Sequence, residues 1–203
     1  MASKIFLIRH GETEWALAGR HTGWTDVPLT TNGERCAAKL QPFLAQVKFS
    51  RVFVSPLQRA QRTAELAGHR ENAIVDEDLH EWDYGDYEGK TSVEIKKQHP
   101  GWNVWEFGAP GGESLTDVTT RADRVLARVK AIEGTVALFG HGQFLRAVAM
   151  RCTQREVTEG RRFAFDAACV SVLGFEHAED GVPGILLWNA DAGGALPRGV
   201  LKG

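Results

Sequence analysis

Two histidines and several arginines stand directly behind short apolar runs. Arg9-His10-Gly11 follows IFLI, Ser55 with Arg59 and Arg62 follows VFV, and Gly140-His141-Gly142 follows VALF. An arginine fork can hold two phosphate oxygens at once, and an imidazole can act as nucleophile or proton carrier. Singly, each piece has an ordinary reading. A histidine after a strand is often a loop residue, Arg59 and Arg62 fit the solvated face of a helix, and Gly11, Gly140 and Gly142 fit turns. The repetition after three separate strands is the informative part. In an open α/β sheet, groups just past the carboxyl ends of parallel strands gather at one edge. Arg9, His10, Arg59 and His141 gathered there would form a site for a small dianion, with phosphate the first candidate.

The elements that must position these groups are visible as alternating patterns. Residues 5–8, 52–54 and 136–139 read as buried strands, continuous rather than alternating, and 170–175 and 185–188 as two more. Residues 30–47 read as a helix, with Thr30 or Thr31 as N-cap and Leu40, Phe43, Leu44 and Val47 facing inward. Further helices are expected over 56–66, 113–132 and from 144 to 150. This alternation predicts a three-layer α/β/α sandwich with a mostly parallel central sheet. One domain is expected over residues 1–190, with 191–203, rich in Gly and Pro, as a loose tail. Residues 76–112 fit neither pattern. They carry Trp82, Tyr84, Tyr87, Trp102, Trp105 and Phe107, and are read as an excursion from the sheet that walls a pocket.

Composition limits the partners. Lys+Arg is 24 and Asp+Glu 26, a formal net charge of -2. That balance argues against nucleic-acid binding and against a polybasic membrane-surface protein, but not against one small charged site. No apolar run approaches a membrane span, and the opening MASKIFLIRHGE meets charge too early for a signal peptide. Cys36, Cys152 and Cys169 form neither a disulfide framework nor a metal pair. A cytoplasmic setting is expected. The seven histidines show no HExxH spacing, and residues 108–112 lack the Lys-Ser/Thr sequel of a P-loop. No metal and no cofactor are implied.

Residues 7–13, LIRHGET, resemble the RHG signature of the histidine phosphatase superfamily, which includes the cofactor-dependent phosphoglycerate mutases. Four further segments follow in that family's order: TGWTDVPLT at 22–30, SPLQRAQRTA at 55–64, EWDYGDYEG at 81–89 and GHG at 140–142. Within the family, 81–89 with Trp102-Asn103-Val104-Trp105 and Gly111-Gly112-Glu113-Ser114 is similar to the sedoheptulose-1,7-bisphosphatase type. The chain is short of the long insertion that partly closes a mutase pocket, and has no basic cluster between Lys90 and Gly112 to hold a carboxylate.

The resemblance implies roles residue by residue. His10 would be the nucleophile, forming a phosphohistidine, with its other ring nitrogen fixed by a backbone carbonyl near Gly11. Arg9, Arg59 and His141 would bind the phosphoryl group, His141 best when protonated. Glu81, ranked above Asp83 and Asp86, would protonate the leaving oxygen and then accept a proton from water. Its pKa is expected to be raised by Trp82, Tyr84 and Trp105. Thr22, Gly23, Trp24, Tyr84, Glu113, Ser114 and Gln143 match positions lining the pocket in relatives. The implied activity is a metal-independent phosphatase acting on a small phosphorylated metabolite, sugar bisphosphates first. A mutase, a phosphoprotein phosphatase and a non-catalytic phospho-ligand module are the alternatives.

Overall fold

The computed structural model describes residues 2–175, 181–192 and 200. Six strands form one sheet: β1 (Ala2–Arg9), β2 (Phe49–Val54), β3 (Ala73–Val75), β4 (Gly134–Gly140), β5 (Val170–Phe175) and β6 (Pro183–Ala190). Their spatial order is β3-β2-β4-β1-β5-β6. β4 lies parallel to β1 and β2, and β2 parallel to β3, while β5 runs antiparallel to β1 and β6. The mostly parallel sheet is therefore as expected. β3 escaped the sequence reading because three residues at a sheet edge leave no periodicity to detect.

Both faces of the sheet are covered, which is why the central strands read as unbroken apolar runs. Along β1, Ile5 and Leu7 join a core with Val118 and Val125 of α7 (Leu115–Lys130) and Phe144 and Leu145 of α8 (Gly142–Cys152). Phe6 and Ile8 point the other way, into a core with Leu40 and Phe43 of α3 (Leu40–Leu44) and Ala60 of α4 (Gln58–Leu66). Burying each large apolar side chain stabilises the fold by about 1.5–3 kcal/mol.

The expected helix over 30–47 is two helices, α2 (Thr31–Ala38) and α3, meeting at Lys39. Pro42 explains the break, since it has no N–H to donate to the carbonyl four residues back. Thr30 is the N-cap, its Oγ1 accepting from Gly33 N at 2.9 Å. The excursion over 76–112 is more regular than expected. It holds α5 (Ser92–Gln98), opened by a Thr91–Glu94 capping box, and α6 (Val104–Phe107), with two 3-10 turns before them. Its aromatic residues fill the core, except Phe107, which is exposed. A remaining short helix, α1 (Glu14–Leu17), follows the first motif. Of the expected tail, only Asp191, Ala192 and Val200 lie within the described residues. Among those residues no helix is long and apolar enough to cross a membrane.

Candidate active site

β1 ends on Arg9, and His10 begins the turn beyond it. Backbone bonds from both neighbouring strands' ends hold that turn. His10 N donates to Gly140 O at 3.0 Å, Arg9 N to Cys169 O at 3.1 Å, and Ala168 N to His10 O at 3.0 Å. Gly11 N then donates to Thr63 Oγ1 of α4 at 3.0 Å. Close packing requires glycine here, because a Cβ on Gly11 would stand 2.5 Å from Gly33 O in α2. The Gly11 carbonyl turns back to lie 2.6 Å from His10 Nδ1. A carbonyl can only accept, so Nδ1 carries the proton and Nε2 keeps its lone pair. Burial, then the charges of Arg59 and Arg9, hold the His10 imidazole well below its usual range. His10 is thus neutral and oriented.

β4 leads to His141 in the same way, at the N-cap position of α8. The His10 and His141 rings lie 5.1 Å apart. His141 Nδ1 accepts from Arg59 Nε at 3.2 Å, so its Nε2–H donates to Ser55 Oγ at 2.7 Å. Ser55, just past β2, completes the meeting of the three strand ends. With no phosphate bound, burial and then the adjacent Arg59 hold His141 well below its usual range, and a bound phosphate dianion would act in the opposite sense. A second positive charge beside a buried guanidinium is the costly state.

Arg59 is fully buried and works behind the histidines. Besides His141, it donates through Nη1 to Thr25 O at 2.9 Å and through Nη2 to Gly23 O at 2.6 Å, with Thr22 O at 3.5 Å. Most of the fork expected for phosphate is therefore engaged with the protein. Arg62 is remote from the site, paired with Glu34 and Glu65 between α2 and α4. Arg9 differs from both. Its Nη1 donates to Phe165 O, while its buried Nε has no acceptor among the described residues.

Glu81 is buried and held by three backbone N–H groups. Oε1 accepts from Trp82 N and Phe144 N, each at 2.8 Å, and Oε2 from Gln143 N at 3.0 Å. The carboxylate thus caps the first turn of α8, where orphan N–H groups attract an anion. The Trp82 and Trp105 rings pack edge to face at 5.3 Å in the core. Only one N–H reaches Oε2, so this oxygen has room to carry a proton toward a ligand.

Of these groups Arg9, His10 and Glu81 line a cavity of about 180 Å³, with Thr13, Ala16, Arg20, His21, Thr22, Tyr84, Gly142, Gln143 and Arg146, while Arg59 and His141 are not among its lining residues. Of the residues proposed to contact substrate, Thr22, Tyr84 and Gln143 lie on it. Burial, then the nearby Glu81, push the Tyr84 phenol far above its usual range, leaving it a donor. Gly23 lies behind the wall, where a Cβ would meet Glu88 Oε1 at 2.1 Å. Glu113 and Ser114 lie outside that lining. Glu113 is paired with Arg121, Nε to Oε1 at 2.8 Å, and accepts from Asp83 N at 3.0 Å. Ser114 is the N-cap of α7, in a capping box with Asp117. Both are occupied in building the segment that carries Glu81. Trp24 is half exposed, donates from Nε1 to Glu81 O at 3.0 Å and stacks on His80.

A family model described as the histidine phosphatase superfamily, branch 1, matches residues 5–191. The chain belongs to the histidine phosphatase superfamily. It is 42% identical over 178 residues to an acid phosphatase of Mycobacterium tuberculosis, covering 86% of this chain and 87% of that protein. It is 32% identical over 182 residues to a sedoheptulose 1,7-bisphosphatase of Saccharomyces cerevisiae, covering 73% of this chain and 67% of that one. A solved structure of a Mycobacterium tuberculosis open reading frame product superposes with a TM-score of 0.85 at 39% identity, covering 93% of this chain and 98% of that chain.

Three basic residues on this histidine phosphatase's cavity were not expected from the sequence: Arg20, His21 and Arg146. Arg146 had a readable signal, since it lies one helical turn beyond Gly142, and its Nε donates to Gly142 O at 3.0 Å. Its Nη1 reaches Phe163 O at 2.8 Å and its Nη2 reaches Gln143 Oε1. Arg20 and His21 follow the turn at Gly19 and carry no such periodicity.

The neutral His10 sets a pH expectation for this histidine phosphatase. With His10 as the nucleophile, protonating Nε2 would disable it, and with the imidazole held low this would happen only below its ordinary value of about 6.5. The pH profile of kcat/KM reports the free enzyme. Its acid limb from His10 should therefore lie below about pH 6.5, with full activity above. The measurement is kcat/KM for p-nitrophenyl phosphate across pH, corrected for the substrate's own ionisation. An enzyme-borne acid limb above that value would contradict the assignment.

Proposed function

We propose that this protein is a metal-independent phosphatase that hydrolyses a small phosphorylated metabolite through a phosphohistidine on His10. The observation that carries the proposal is the 2.6 Å contact of His10 Nδ1 with Gly11 O, which leaves Nε2 available beside Arg9 on a cavity that also presents Glu81. In the first step the Nε2 lone pair forms the N–P bond as the ester P–O bond breaks, and the leaving oxygen takes a proton from Glu81. In the second, water attacks phosphorus, Glu81 takes its proton, and the N–P electrons return to His10. Arg9, with its unused Nε–H, supplies positive charge to the phosphoryl oxygens, the work a metal would otherwise do.

The rest of the lining favours a sugar bisphosphate. Arg20, Arg146 and His21 add cationic or donor capacity beyond what one phosphoryl group needs, and Glu81 is the one carboxylate among the lining residues. Thr22, Tyr84 and Gln143 offer partners for hydroxyl groups. The similarity to a sedoheptulose 1,7-bisphosphatase supports the same class. The test is phosphate release in EDTA from a panel of sugar bisphosphates, phosphoglycerates and phosphopeptides. The highest kcat/KM is expected for a sugar bisphosphate, undiminished by the chelator. Loss of activity in EDTA would overturn metal independence, and preference for phosphopeptides would overturn the substrate class.

A further inference from the structure

We infer that Glu88, whose side chain is not part of the cavity wall, is a positioning residue for this reaction, setting the loop 22–25 and through it Arg59 and His141. The inference rests on the phosphatase reading above. The Glu88 carboxylate accepts four backbone N–H groups. Oε2 takes Gly23 N at 3.1 Å and Thr25 N at 3.3 Å, while Oε1 takes Trp24 N at 3.0 Å and Tyr84 N at 3.3 Å. Arg59 grips the same loop from the opposite side by the carbonyls of Thr22, Gly23 and Thr25.

The two sets of bonds share peptide groups. In the trans peptide joining Thr22 to Gly23, the C=O faces Arg59 and the N–H faces Glu88. The peptide joining Gly23 to Trp24 repeats this. Two peptide dipoles are therefore held between a guanidinium and a carboxylate, each charge favouring the orientation that the other requires. Only glycine allows so close an approach at position 23, where a Cβ would sit 2.1 Å from Glu88 Oε1 and 2.4 Å from Trp82 O. From Arg59 the chain of contacts continues to His141 Nδ1 and on to Ser55. On its other side Glu88 fixes the backbone of Tyr84, and Thr22 and Tyr84 are both cavity walls. One half-buried carboxylate thus holds two walls and the brace behind the histidines.

Because each Glu88 oxygen accepts two N–H groups, glutamine is a poor substitute: its NH2 would oppose one of the two pairs. Misplacing a catalytic group by about 1 Å costs on the order of 10²-fold in rate. With p-nitrophenyl phosphate, at a temperature where circular dichroism reports a folded variant, Glu88→Gln should lower kcat by about that factor. KM should change by less than about tenfold, because the loop acts through groups behind His10, and the placement of the reacting groups counts most in the transition state. The dissociation constant for orthovanadate, a transition-state mimic, should rise in parallel. A double-mutant cycle with Arg59→Lys separates positioning from simple support of the fold. In the Arg59→Lys background, Glu88→Gln should cost less than about threefold, since both act through one loop. Fully multiplicative losses, or a single variant within about threefold of wild type in kcat and vanadate affinity, would overturn the inference. If Glu88→Gln does not fold, Glu88→Asp, which keeps both oxygens on a shorter stem, replaces it in the cycle. Vanadate binding needs no turnover. A wild type that binds vanadate but does not hydrolyse p-nitrophenyl phosphate would overturn the phosphatase reading, and the cycle in vanadate affinity would still decide the role of Glu88.

Discussion

His10→Ala is expected to lower kcat by on the order of 10⁵–10⁶-fold, the scale seen when an enzyme loses its nucleophile. The structure invests in this one side chain from several directions: a fixed tautomer through Gly11 O, burial, and Arg59 and Arg9 holding the ring neutral. With labelled substrate in a rapid quench, wild type should yield an acid-labile, base-stable phosphoenzyme, and His10→Ala should yield none. The variant should fold, because its ring makes a single hydrogen bond and the turn is held by the backbone. Hydrolysis at the wild-type rate in His10→Ala would move the nucleophile elsewhere.

Glu81→Gln should separate the two half-reactions. Glutamine keeps an oxygen for Trp82 N and Phe144 N, but its NH2 would face Gln143 N, so the cap on α8 weakens by about 0.5–2 kcal/mol. The kinetic loss, about 10²–10⁴-fold in kcat, is expected to depend on the leaving group. p-Nitrophenolate departs without a proton donor, so the first step stays fast and the second, which needs a base for water, becomes slow. A burst of one nitrophenolate per active site should precede slow turnover. A sugar phosphate must expel an alkoxide, so its first step slows and no burst should appear. Equal losses on both substrates, with no burst on either, would assign proton transfer to another group.

Much of this site could be read before the fold was known, for a physical reason. A parallel sheet brings the ends of its strands to one edge, so Arg9, His10, Ser55 and His141 follow from where three apolar runs stop. What could not be read was the direction of each charge. Arg59 reads as a phosphate fork, yet most of its donors are taken by the loop 22–25 and His141, as fits a fully buried guanidinium. Glu113 and Ser114 matched pocket positions by local pattern, but an ion pair with Arg121 and a helix cap claim them. Glu88 gave no warning, and Arg146 only its helical spacing from Gly142, because one charged residue in a turn or on a helix is otherwise indistinguishable from a solvated one. Their partners, Gly23 and Trp24 for Glu88 and Phe163 for Arg146, are brought near by the fold.

The placement of β1 has a consequence for biosynthesis. The strand that leads into the first motif leaves the ribosome before both of its partners, residues 134–140 on one side and 170–174 on the other. Arg9 and His10 are then fastened by Cys169 and Ala168. A nascent chain that has not yet exposed residue 168 holds His10 but none of the bonds that fasten it from that side. Such distant pairings also slow folding, since the intervening chain must be closed before they form. Competence to react should therefore arise late in translation.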